Sequence, residues 1–155
     1  MPQNPAFVRR AEVRHATRVA AEYGLPLQLR ERLLNSNTAL CAVEYAREEE
    51  RTKPHPGLME AVHAALFTAH YQDGRDIGLL EEVVAICLAA GAGPAIADAL
   101  RDGRYRPAVA RSREQAHALG VVAVPTFLAG TVAIVGIPAF DAFETLVQRA
   151  QQGAG

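Results

Sequence analysis

Val121-Val122-Ala123-Val124-Pro125-Thr126-Phe127-Leu128, then Ala129-Gly130, then Thr131-Val132-Ala133-Ile134-Val135 follow one another near the C-terminus, and nothing before them is like them. Val, Ile and Thr fill nine of the 17 positions from Val121 to Ile137, against 15 in the preceding 120. β-Branched side chains pack well on a pleated surface and lose rotamer freedom in a helix, so strand propensity is concentrated in this window. The spacing predicts a strand over Val121–Leu128, a tight turn at Ala129-Gly130 and a second strand over Thr131–Val135. Pro125 sits inside the first run, where it removes a ladder donor. A cis Val124-Pro125 bond at the start of the strand would turn the chain and leave the Val124 backbone open to a ligand.

Outward from this window the chain reads as helices. One is predicted from about Ala6 to Tyr23, with Phe7, Ala11, Val19 and Tyr23 partly sharing a face, Arg9, Arg10, Arg14 and Arg18 making it basic, and Gly24 ending it. Asn35-Ser36-Asn37-Thr38 offers N-caps for a second helix carrying Leu40, Val43 and Ala46, which frays into a solvated Arg47-Glu48-Glu49-Glu50-Arg51 end. Lys53-Pro54-His55-Pro56-Gly57 breaks the pattern. Leu58 to Tyr71 resumes it with Leu58, Val62, Ala65, Leu66 and Ala69 as the apolar stripe. Leu79 to Ala90 is apolar almost all round and is expected to be a central buried helix. A shorter helix ends near Leu100, and Pro107 opens another that stops at Leu119-Gly120. A last one, Pro138 to Gln151, carries Phe140, Phe143, Val147 and Ala150. The fold class expected is α+β, mostly helical, closing in strand-turn-strand-helix. The 155 residues are read as one domain, with a helical portion over 1–120 and a hairpin plus helix over 121–151.

Composition bounds the function. Half the residues are hydrophobic, 21% are charged and the net charge is −1, which excludes a disordered chain and gives no footprint for nucleic acid or an anionic membrane. All but one of the 16 basic residues are Arg, Lys53 being the exception, a bias that a GC-rich coding sequence favours. No apolar run reaches the roughly 20 residues that span a bilayer, and no signal-peptide core opens the chain, so a cytoplasmic location is expected.

Leu119-Gly120-Val121-Val122-Ala123-Val124-Pro125-Thr126-Phe127 resembles the LGVxGVPTF segment of DsbA-like thioredoxin-fold proteins. Tyr71-Gln72-Asp73-Gly74-Arg75-Asp76-Ile77-Gly78 is similar to the YFxEGRDIG segment of their inserted helical domain. Ile134-Val135-Gly136-Ile137-Pro138-Ala139-Phe140 is similar to the VSGAQPAEVF ending of the FrnE-type subgroup. The likeness runs in order from about Asn35 to Ala150. It implies a helical insertion followed by the closing half of a thioredoxin fold. It also implies a cis Pro125, and a substrate backbone held by Val124, Pro125 and Thr126.

In that family a Cys-Pro-x-Cys pair at a helix N-terminus supplies the attacking thiolate. Here the cysteines are Cys41 and Cys87, far apart in sequence and each within a helical pattern, and both are expected to be buried structural residues. The chain is therefore expected to begin beyond the redox half and to be inactive in exchange on its own, with no catalytic residue. Glu60, His63 and His70 share spacing on one helix but lack a further ligand, and neither metal nor cofactor is expected. Asp73, Arg75 and Asp76 read as residues that fix a turn.

Three function classes follow: a thiol-disulfide oxidoreductase-like protein, a non-enzymatic binding or assembly module, and a glutathione-dependent isomerase similar to 2-hydroxychromene-2-carboxylate isomerase. The last suffers from Gly136-Ile137-Pro138-Ala139, which holds no charged anchor for glutathione. Neither strand carries a charge to discourage edge pairing. The edge at Val124-Pro125 is thus expected to take a polypeptide partner or a second copy in a homodimer.

Overall fold

The computed structural model describes residues 5–28, 34–53 and 55–153, the side chains of residues 5–12 excepted. In order come α1 (Pro5–Glu22), α2 (Asn37–Thr52), α3 (Leu58–Tyr71), α4 (Leu80–Ala89), α5 (Ile96–Arg101), α6 (Arg106–Ala118), β1 (Thr126–Ala129), β2 (Val132–Val135) and α7 (Phe140–Gln152). The fold is α+β and mostly helical, with one small antiparallel sheet among the described residues. The chain divides into two compact units, Met1–Ala110 and Arg111–Gly155. This division falls inside α6, whereas the composition changes at Val121.

In the first unit α2, α3, α4 and α5 pack on one another around a core that includes Val62, Val83, Cys87 and Ile96, all fully buried. The α3 stripe is Leu58, Val62, Leu66 and Ala69, with Ala65 half-buried at its border. Tyr45 of α2 and Tyr105 meet edge to face, their ring centroids 5.9 Å apart, within the same core.

Several faces differ from those expected. On α2 the inward residues are Ala39, Cys41, Ala42, Tyr45 and Ala46, and Leu40 points to solvent. The small alanines bring neighbouring helices close, so the larger Leu40 is not the anchor. α4 is not buried all round: Val83, Ile86 and Cys87 face inward, while Leu79, Leu88 and Ala89 are exposed. Nothing among the described residues covers its outer side, and a ten-residue helix buries only the stripe its neighbours reach. Among the described side chains of α1, Ala20 is the buried one, and Tyr23 is exposed beyond the end of the helix. The Phe7, Ala11, Arg9 and Arg10 side chains, and Pro54 of the break after α2, lie outside the described residues.

The acidic end of α2 is more organised than a solvated fray. Glu44 holds Arg47 at 2.8 Å and Glu49 holds Lys53 at 2.7 Å. The Gly57 N–H, at the start of α3, donates to the Glu50 carboxylate. Burial pushes the Tyr105 phenol up to about 12, and the bond its hydroxyl donates to Glu48 adds to the shift. Opposite charges three and four residues apart on a helix meet without strain, and Glu50 supplies an acceptor that a glycine N-cap lacks.

In the second unit β1 and β2 pair in the register Thr126↔Val135, Phe127↔Ile134, Leu128↔Ala133, Ala129↔Val132. Gly130 and Thr131 are the two loop residues. Gly130 has φ 58° and Thr131 does not have positive φ, the pattern of a type II′ hairpin turn. β1 is four residues, not eight, because residues 123–125 bend and residues 121–122 before them are not in a strand. Proline has no N–H to give the ladder, so pairing cannot propagate past it in full. α7 packs on both strands: Phe143 stands edge-on to Phe127 at 4.8 Å, and Leu146 is its buried residue. Phe140 and Val147, expected on that inner face, are exposed, because the face that meets the hairpin runs through Phe143, Leu146 and Ala150.

Candidate functional site

Pro125 precedes β1 directly, and its carbonyl accepts from the Gly136 N–H at 2.8 Å. It cannot return that bond. The ladder therefore ends in half a pair, and the chain turns out of the sheet at Val124. The Val124–Pro125 peptide bond is cis. The Thr126 hydroxyl donates back to the Ala123 carbonyl at 2.6 Å, closing a short bend around Pro125. Val124 is 89% exposed at the outside of this bend. Val124, Pro125 and Thr126 are thus brought together at one corner of backbone, Val124 and Pro125 exposed and Thr126 half-buried.

The ladder phase follows from the Pro125–Gly136 bond. In an antiparallel pair, hydrogen-bonded and non-bonded partners alternate. Phe127 and Ala129 therefore exchange bonds with Ile134 and Val132. The N–H and C=O groups of Thr126 and Leu128 point outward, along an edge that no described strand occupies. An open row of donors and acceptors beside an exposed bend suits an extended polypeptide, which can add as a further strand.

The thiols are placed differently. Cys87 is 0% exposed and Cys41 5%, and both are free. Burial pushes the Cys87 thiol up to about 12. Burial also raises Cys41, with Glu44 adding to the shift and Arg106 opposing it. Each belongs to the helical core of the first unit. A thiol that stays protonated is a poor nucleophile.

Asp76 and Arg75 work locally. The Asp76 carboxylate accepts the Gly78 N–H at 2.9 Å, and Arg75 Nε meets Glu82 at 2.8 Å, fixing the turn into α4. Asp73 is exposed beside Gly74, which takes φ 63° where α3 ends. The His63 ring lies tilted against Phe67 and the His70 ring edge-on to Tyr71, while Glu60 is exposed. Among the described residues no group of three His, Cys, Asp or Glu is arranged to hold a metal ion. Among them, too, no helix is long and apolar enough to cross a membrane. Glu48 and Glu50 are the polar residues whose roles the sequence hid, since a charge run at a helix end carries no sign of partners met later in the chain.

A family model described as DSBA-like thioredoxin domain matches residues 10–148. The chain belongs to this family. Among solved structures, the chain is similar to the cytosolic disulfide reductase DsbM from Pseudomonas aeruginosa. The TM-score is 0.61 and the identity 23%, over 99% of this chain and 77% of that one. At that identity the likeness is one of fold. No curated protein sequence matches significantly.

Proposed function

We propose that these 155 residues are a polypeptide-holding member of the DsbA-like family, of the FrnE-type subgroup, that performs no dithiol–disulfide exchange by itself. The observation that carries this reading is the mismatch between its two candidate sites. The corner offers backbone groups beside the exposed Val124 and Pro125, whereas both thiols are buried and held protonated. Exchange needs a thiolate that reaches the substrate sulfur and a second thiol that resolves the mixed disulfide. Cys41 and Cys87 offer neither access nor charge. A dithiol acting beside Pro125 would have to come from outside residues 1–155.

The subgroup assignment is supported by the Ile134–Phe140 segment, and the cytosolic neighbour supports a cytoplasmic location. A binding role gains further support from the free β1 edge, because strand addition supplies main-chain bonds whatever the guest sequence.

Turnover of a small disulfide, driven by a thiol reductant, tests the reading. The expected rate is that of buffer alone, and it stays there in Cys41→Ser and Cys87→Ser. A rate above background that disappears in either variant would overturn the proposal.

A further inference from the structure

We propose that the Thr126 hydroxyl is a positioning group for polypeptide binding, holding the bend that presents the Val124 backbone rather than contacting the guest itself. The inference rests on the polypeptide-holding reading above. The corner is fastened on both sides of Val124-Pro125. The Ala123 carbonyl accepts the Thr126 hydroxyl at 2.6 Å, and the Pro125 carbonyl accepts the Gly136 N–H at 2.8 Å. Between these two bonds, the N–H and carbonyl of Val124 have no hydrogen-bond partner among the described residues. Val124 is also the most exposed residue of the bend. Its two backbone groups are therefore the ones left for a guest chain, next to the outward N–H and C=O of Thr126.

Packing does not replace the hydroxyl. Successive side chains of a strand point to opposite faces. Phe127 meets Phe143 of α7, so Thr126 projects from the other face, opposite Val135, which is 58% exposed. Pro125 has no N–H for the ladder, so strand pairing holds the chain there through the Pro125 carbonyl alone. The bond from Thr126 to Ala123 spans Val124 and Pro125 and supplies the second constraint. Without it, Val124 would be ordered only as the guest binds, and that entropy cost would lower the affinity. Ala123 is exposed, so its carbonyl turns to water when the hydroxyl is removed. The loss then falls on binding rather than on folding, because no buried acceptor is left unpaired.

Binding of fluorescein-labelled lysozyme, reduced and carboxymethylated so that it is unfolded and carries no free thiol, tests the proposal by anisotropy. The parent should bind. Thr126→Val should bind about fivefold more weakly, the worth of roughly one net hydrogen bond. Thr126→Ser keeps the hydroxyl and should recover most of the parent's affinity. Strand propensity ranks valine above serine, so a role confined to strand stability would make the serine variant the weaker binder. The order parameter of the Val124 amide from NMR relaxation should match those of β1 in the parent and in Thr126→Ser, and fall in Thr126→Val. If the parent binds and Thr126→Val binds as tightly, or more tightly than Thr126→Ser, the positioning role is overturned while the holding role stands. A parent that does not bind the labelled chain overturns both. A Val124 amide as mobile in the parent as a chain end overturns the positioning role whether or not either variant folds.

Discussion

Ile96→Ala is expected to lower the unfolding free energy of the helical unit by about 2–5 kcal/mol. Ile96 opens α5 and is fully buried in the cluster built by α2 to α5. Its N–H already bonds the Gly93 carbonyl at 3.1 Å, so the backbone there is held in place and cannot follow a shortened side chain inward. The loss then combines the transfer free energy of the removed carbons with the void they leave. Val147→Ala is the contrasting case: half of Val147 is exposed, and its truncation should cost less than about 1 kcal/mol. Denaturant unfolding followed by helical circular dichroism separates the two. An Ile96→Ala cost no larger than that of Val147→Ala would mean that the packing around α5 is loose.

The second large effect is set by pH. Cys87 titrates near its ordinary 9.0 when unfolded and is pushed to about 12 by burial in the folded chain. A raised folded pKa contributes stability in the protonated state. That contribution is complete below about pH 9 and is lost as pH climbs toward 12. The full loss is on the order of 4 kcal/mol, from 1.36 kcal/mol per pKa unit. Tyr105, pushed up to about 12 by burial and its bond to Glu48, weakens the fold in part of the same window. The comparison that isolates the thiol is therefore the slope of stability against pH in the parent and in Cys87→Ala. The parent should fall more steeply between these limits. Parallel slopes would show that Cys87 ionises in the folded state as easily as in the unfolded one.

How much of this was legible beforehand depends on how local the signal was. The helices announced themselves through period and glycine: Gly24, Gly74 and Gly120 all follow helices and all take positive φ. The two strands were marked by β-branched residues, yet the length of β1 was overread, because propensity reports side chains while pairing needs a donor that Pro125 lacks. Inner and outer faces were less readable. Leu40, Phe140 and Val147 look like anchors by hydrophobicity, but alanines and Leu146 face inward, since close packing rewards fit over size. The Val124-Pro125-Thr126 corner was legible through its resemblance to a family segment. The bond from Thr126 to Ala123 and the half pair at Gly136 depend on three-dimensional closure that sequence spacing does not encode.

The central claim is that these residues hold a polypeptide-binding corner without a reactive thiol. Reaction of the native protein with an aromatic disulfide reagent at neutral pH, followed by absorbance, tests the second half of it most directly. Neither Cys41 nor Cys87 should react at a measurable rate while the chain is folded, and both should react at once when denaturant is added. A native thiol that reacts as fast as free cysteine, or faster, would contradict the account.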